Sequence, residues 1–222
     1  MKVRNYIRLK NVLDYIFAGV LFLLLWPLFL LISIWIKTDS TGSIFFTQKR
    51  IGKDNIPFEI YKFRTMRTDA PKDMPTHLLN NADSFITRSG SFLRKTSLDE
   101  LPQLINILKG DMSFIGPRPA LWNQFDLIRG RDALGVQQLK PGITGWAQIN
   151  GRDEVSISEK IELDGYYLEH ISLSLDIKIL FLTVLSVMIR KGIREGGIEE
   201  LETNLKTVGE PGEAIQKEER CV

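Results

Sequence analysis

The sequence predicts an α+β, helix-rich protein with one membrane-embedded helix, a small β-hairpin and a compact domain carrying amphipathic interfacial helices. Three observations predict it. Residues 15–36 form an apolar run without a single charge, interrupted at Pro27. Residues 44–64 alternate as two short strands around a turn. Much of the remaining chain, as far as residue 191, shows helical patterning. With 44% hydrophobic residues among 222, the chain can bury a substantial core. The net charge of +2 says little, but its distribution is uneven. Lys2, Arg4, Arg8 and Lys10 precede the apolar run with no acid among them, whereas residues beyond 195 are rich in glutamate. Cys221 is the single cysteine, so no intrachain disulfide can form, which fits a reducing setting. The expected organisation is a basic start and Pro-broken re-entrant helix over 1–37, a cytosolic domain over 38–195, and an acidic, flexible tail over 196–222.

The apolar run admits three readings. A signal peptide needs a shorter apolar core and a small-residue cleavage site, and Ile34-Trp35-Ile36-Lys37 is a poor one. A spanning helix needs about 20 apolar residues, which the run supplies, although Pro27 lacks an N–H and clashes with the Leu23 carbonyl. A re-entrant helix would bend at Pro27 and return to the face it entered. Each half, roughly 12 residues or about 18 Å, is too short to cross alone. Both flanks are basic, with Lys2 to Lys10 before and Lys37, Lys49, Arg50 and Lys53 after. Positive residues favour the cytoplasmic side, so the flanks favour re-entry.

Further along, Ile44–Thr47 is strand-like, Gly52-Lys53-Asp54-Asn55 is a turn, and Phe58–Arg64 alternates. Lys62 and Arg64 share one face of that strand, because side chains repeat every two residues; an edge strand protected by charge reads the same way. Residues 68–84 are polar, carry Pro71 and Pro75, and are expected to be a loop. Helices are expected over 101–108, ended by Gly110, and over 121–139, 155–169 and 175–191. The last is strongly apolar, but its apolar stretch Ile179–Ile189, roughly 11 residues, is too short to span, and it is either a core helix or one lying at the membrane interface.

The densest chemistry lies in RKTSLDELPQ at 94–103. Ser97 and Glu100 could form a capping box, but that register places Pro102 where its missing N–H is needed. Asp99 as the cap places Pro102 in the first turn, where no helical bond is lost. The helix dipole then favours the ionised carboxylate. On spacing alone, a simple cap and a functional acid both remain open. Arg118 stands between Pro117 and Pro119, a stiff mount for a planar cation suited to phosphate, or else a rigid turn with a solvated arginine. In PGITGWAQINGR at 141–152, glycines permit close backbone approach to a ligand, and Gln148 and Arg152 can bind one. No G-x-G-x-x-G or Walker A motif is present. His77 and His170 are the only histidines, which argues against a zinc cluster.

The run RKTSLDELPQLINILKGDMSFIGPRP at 94–119 resembles the core of the bacterial sugar transferases, the monotopic polyprenyl-phosphate phosphoglycosyltransferases. YKFRTM at 61–66, KPGITGWAQINGR at 140–152 and the Pro-broken anchor resemble further blocks of that family in the same order. The resemblance implies Mg²⁺-dependent transfer of a sugar-1-phosphate from a UDP-sugar to polyprenyl (undecaprenyl) phosphate, with UMP released. It implies Asp99 as nucleophile and Glu100 as its partner at Mg²⁺. Lys62, Arg64, Arg94, Arg118, Gln148 and Arg152 are the expected phosphate, nucleotide and substrate contacts. The implied place is the cytoplasmic face of a bacterial inner membrane. The implied partners are the UDP-sugar, polyprenyl phosphate and membrane lipids, with no nucleic acid; a homo-oligomer stays open. A membrane-anchored scaffold that holds anionic lipids without catalysis is the rival reading.

Overall fold

The computed structural model describes residues 2–71, 82–151 and 155–189. The tail over 196–222, most of the expected 68–84 loop and Arg152 lie outside the described residues.

The chain opens with α1 (Lys2–Asp39), which contains Pro27. The hairpin follows: β1 (Phe45–Ile51) and β2 (Pro57–Phe63) pair antiparallel from Phe45–Phe63 to Ile51–Pro57. Its turn is a 3-10 turn over Lys53–Asn55, where Asp54 and Asn55 take positive φ (53° and 60°). Asp and Asn tolerate that region because their side chains can bond the local backbone. A short β4 (Ala120–Leu121) adds to the other edge of β1, giving the order β2-β1-β4. A second, two-stranded sheet pairs β3 (Ser113–Ile115) parallel with β5 (Gly142–Thr144).

The helices fill the spaces between. They are α2 (Ala82–Phe85), α3 (Arg88–Lys95), α4 (Gln103–Lys109), α5 (Phe125–Ala133), α6 (Trp146–Ile149), α7 (Ile157–His170) and α8 (Leu173–Ile189). Thus the end of the expected 68–84 loop is helical. The helix expected over 121–139 is α5 followed by a 3-10 turn at Val136–Gln138, because Gly135 takes φ 75° and breaks the helix. Gly110, at φ 88°, closes α4 as expected. The start of α7 is a capping box between Ser156 and Glu159.

One face of α1 builds the core. Ala18, with Leu21, Phe22 and Leu25 beside it, packs on Ile60, Leu104, Ile107 and Met112. Further along, Ile32 and Ile36 meet Phe63 and Leu93. Near the start, Tyr6 and Ile7 pack on the cluster of Ile115, Tyr167 and Ile179. The two ends of α1 are also tied by polar bonds. The Tyr6 hydroxyl and Lys10 Nζ donate to Asp176 Oδ2 at 2.7 and 2.8 Å, and Ser89 N–H donates to Asp39 Oδ2 at 2.8 Å. The inward positions recur every three or four residues from 6 to 39, as a helix face must.

The opposite face carries Val20, Leu23, Leu24, Leu30, Leu31 and Ile34, all exposed, with Leu23 73% accessible. Pro27 lies on that outer side. Its ring crowds the Leu23 carbonyl there and its missing N–H removes one helical bond, yet α1 runs as one helix from Lys2 to Asp39. The two faces of α8 differ in the same way. Asp176 and Ile179 are buried, while Leu173, Ile177, Leu180, Phe181 and Val184 are exposed.

Candidate active site

The carboxylates at 99 and 100 sit where the chain changes direction between α3 and α4. Ser97 takes a left-handed conformation (φ 56°) and starts a 3-10 turn over Leu98–Glu100. Non-glycine residues rarely adopt that region, and strain of this kind clusters at functional sites. The Ser97 side chain makes no cap, and α4 begins only at Gln103. Neither expected cap register is therefore adopted. Pro102 has no N–H to give, so the chain passes it in turns bonded to the third residue back, such as Leu101 N–H to Leu98 O at 3.2 Å. Asp99 consequently sits inside the 3-10 turn, a full turn before α4.

Four of the expected residues converge. Lys62, at the end of β2, reaches Glu100 Oε1 at 2.7 Å and lies 4.0 Å from Asp99 Oδ2. Arg118 Nη2 donates to the same Glu100 oxygen at 3.1 Å. Among the described residues, no hydrogen bond reaches Glu100 Oε2 or either oxygen of Asp99. Asp99 is only 9% exposed. Burial pushes its carboxyl up to about 6; the Glu100 charge adds to that, and Lys62, Arg94 and Arg118 oppose it. Burial acts on Glu100 too, but Lys62 and Arg118 hold its carboxyl well below the usual range. The adjacent acids are therefore pushed in opposite directions, Asp99 up by burial and Glu100 down by its paired cations.

The other expected residues are placed differently. Arg94 donates from Nε to Thr65 Oγ1 at 2.9 Å, and its charge is felt at Asp99. Arg64 lies beyond the end of β2 and turns to the end of α1, where it donates to the carbonyls of Ser40 (2.8 Å) and Thr41. Carbonyls past a helix terminus need such donors. Gln148 is half-buried, and its amide nitrogen and oxygen are both shielded from solvent and unpartnered. The glycines of that segment approach backbone: a Cβ on Gly142 would fall 2.1 Å from Gly116 N, and one on Gly145 2.1 Å from Gly116 O. Their smallness thus serves the packing of β5 on the 116–119 turn.

Two residues escaped the sequence reading. Gln103 is 1% exposed, four residues after Asp99, with Nε2 unpartnered. Arg50, read only as part of a basic flank, stands beside the site; burial and the charge of Arg118 work against its own charge, and Glu100 supports it. Its partners are Gln48 Oε1 and the Pro119 carbonyl. The strand alternation that aligns Gln48 with Arg50 was the available signal.

Among the described residues no group of three or more His, Cys, Asp or Glu gathers to hold a metal. The Asp99–Glu100 pair still fits Mg²⁺, which usually takes one or two carboxylates and completes its shell with water and phosphate oxygens. The oxygens free of hydrogen bonds are the ones such an ion would use.

Known proteins resemble the chain over most of its length. The chain is 43% identical over 188 residues to the sugar transferase EpsL of Bacillus subtilis, covering 84% of this chain and 91% of that one. It is 42% identical to the UDP-glucose:undecaprenyl-phosphate glucose-1-phosphate transferase of Escherichia coli, over 82% of this chain but 41% of that longer protein. It is 37% identical to the exopolysaccharide production protein ExoY of Rhizobium meliloti, over 82% and 87%. The family model described as bacterial sugar transferase matches residues 5–190, and the chain belongs to that family.

Proposed function

We propose that this protein transfers a sugar-1-phosphate from a UDP-sugar to polyprenyl phosphate, in two steps through Asp99. The observation that carries the reading is a buried carboxylate without a hydrogen bond, set among Lys62, Glu100 and Arg118. In the first step an Asp99 oxygen attacks the β-phosphorus of the UDP-sugar. A P–O bond forms to the carboxylate, the bond from that phosphorus to the bridging oxygen breaks, and UMP leaves with the oxygen. In the second step an oxygen of polyprenyl phosphate attacks the same phosphorus, and the Asp99 carboxylate leaves. The product is polyprenyl diphospho-sugar, which makes this the first membrane step of a glycoconjugate pathway.

Lys62 and Arg118 provide fixed positive charge for phosphate oxygens that gain charge in each step. Arg94 and Gln148 lie at the edge of our assignment, as a phosphate contact and a donor–acceptor pair for nucleotide or sugar; Arg152 is assigned by its motif. Mg²⁺ held by Asp99 and Glu100 would neutralise diphosphate charge. Three relatives named as UDP-glucose:undecaprenyl-phosphate glucose-1-phosphate transferases support the reaction class. An Aeromonas hydrophila relative named for N-acetylgalactosamine transfer leaves the sugar open.

The anchor supports a one-sided placement. Both ends of α1 bond to the same domain, at Asp176 and Ser89. They cannot lie on opposite sides of a bilayer unless that domain does too. The exposed apolar faces of α1 and α8 suit contact with membrane lipids, α1 re-entering at Pro27 and α8 lying at the interface. We place the domain on the cytoplasmic face, where both basic flanks belong.

Intact-mass measurement after incubation with Mg²⁺ and a panel of UDP-sugars tests the reading. The expected result is UMP together with a phospho-sugar adduct, absent in Asp99→Asn and discharged by polyprenyl phosphate. Lipid-dependent UMP release without any adduct would replace two steps by direct transfer. Silence with every donor, with and without lipid, would favour the scaffold.

A further inference from the structure

The turn that carries Arg118 has an unusual hydrogen-bond problem. Pro117 and Pro119 have no N–H, so this segment cannot secure itself by an ordinary ladder. It presents three successive carbonyls, and each is taken from outside. Gly142 N–H donates to Pro117 O at 2.9 Å, Arg131 Nη1 to Arg118 O at 2.9 Å, and Arg50 Nη1 to Pro119 O at 3.0 Å. Arg131 is itself held. Its Nε and Nη2 donate to Asp164 Oδ2 at 2.9 and 2.5 Å, across the contact between α5 and α7. Arg131 is 8% exposed and Asp164 1%.

A buried ion pair is seldom kept for stability alone, because apolar side chains of similar volume do as well or better. This one has a second output. A guanidinium is a rigid planar fork, so fixing two of its nitrogens on Asp164 aims the third. The third meets the backbone of the residue whose side chain grips Glu100. We infer that Arg131, aimed by Asp164, is a positioning residue that sets the Arg118 guanidinium for phosphate binding. It touches neither substrate nor reacting atoms and acts through the Arg118 carbonyl. The inference rests on the phosphoryl-transfer reading, in which Arg118 meets the diphosphate.

Arg131→Lys is the variant of choice. It keeps a charge for Asp164, but a single ammonium cannot reproduce the two-sided fork. A misplacement near 1 Å costs about 10²-fold in rate, so UMP release is expected to fall about 10–100-fold. In an Arg118→Ala background the same change is expected to alter the remaining rate less than about 2-fold, since residues acting through one another are non-additive. Hydrogen exchange is expected to quicken at Gly116, Arg118 and Ala120 and to stay unchanged across α4. Equal losses in both backgrounds would overturn the inference, as would unchanged exchange in the 116–120 turn. Should Arg131→Lys not fold, Asp164→Asn enters the same cycle with the same expectations. If the wild type releases UMP from no donor, the reaction reading fails, and exchange alone decides whether Arg131 holds the turn.

Discussion

Asp176 and Asp99 are both buried carboxylates of this domain, and they are built in opposite ways. Asp176 accepts three hydrogen bonds, with both oxygens engaged. Tyr167 donates to Oδ1 at 2.7 Å, and Tyr6 and Lys10 donate to Oδ2. Asp99 is also buried, receives no hydrogen bond among the described residues, and has Lys62 Nζ 4.0 Å away. A carboxylate engaged at both oxygens has little left to give and ties elements together. Burial raises the energy of the ionised Asp99, the cations around it offset part of that rise, and its oxygens stay open to a ligand. For these two acids burial is shared and the count of donors differs.

The largest expected effect is on rate. Asp99→Asn should abolish the adduct and lower UMP release by more than about 10³-fold, read by mass and by nucleotide assay. The fold favours the protonated acid at 99, so ionisation above about pH 6 works against the folded state. Asn never ionises, so its unfolding temperature near neutral pH should hold or rise. Asp176→Ala should show the reverse, a loss of about 3–5 kcal/mol from leaving Lys10 buried and unpaired, read by chemical denaturation in detergent. Tyr6→Phe removes one of the three donors and should cost about 1.5–3 kcal/mol in the same measurement. The subtlest effect is a shift in pH. The first step needs ionised Asp99, so its rate should fall as pH drops through about 6. Removing the neighbouring negative charge with Glu100→Gln takes away one cause of that raised value, and the acid limb should move to lower pH. An unmoved limb in pre-steady-state UMP release would place the titration elsewhere.

Local features were legible because local chemistry dictates them. Asp54-Asn55 marked the hairpin turn, Gly110 the end of α4, and Ser156 with Glu159 opens α7 inside the expected 155–169 helix. Pro102 was legible as an obstacle, yet the chain met it with 3-10 turns rather than by shifting a cap, and Leu101 and Leu104 beside it pack into two different clusters. Long-range pairings left no trace in spacing. Lys62 meets Glu100 across 38 residues, and Arg131 meets Asp164 across 33. Lys62 and Arg64 alternate alike, but only Lys62 reaches the acids, because Arg64 is claimed by carbonyls at the end of α1. Alternation reports a strand face, not what lies opposite it.

The tie between Tyr6 and Asp176 spans 170 residues. A ribosome adding 5–20 residues per second needs roughly 10–35 s to make that stretch. The later turns of α1 can settle on Ile60, Phe63 and Leu93 soon after those are made, whereas its Tyr6–Lys10 end waits for Asp176. The start of α1 is therefore locked into the domain only once α8 is made.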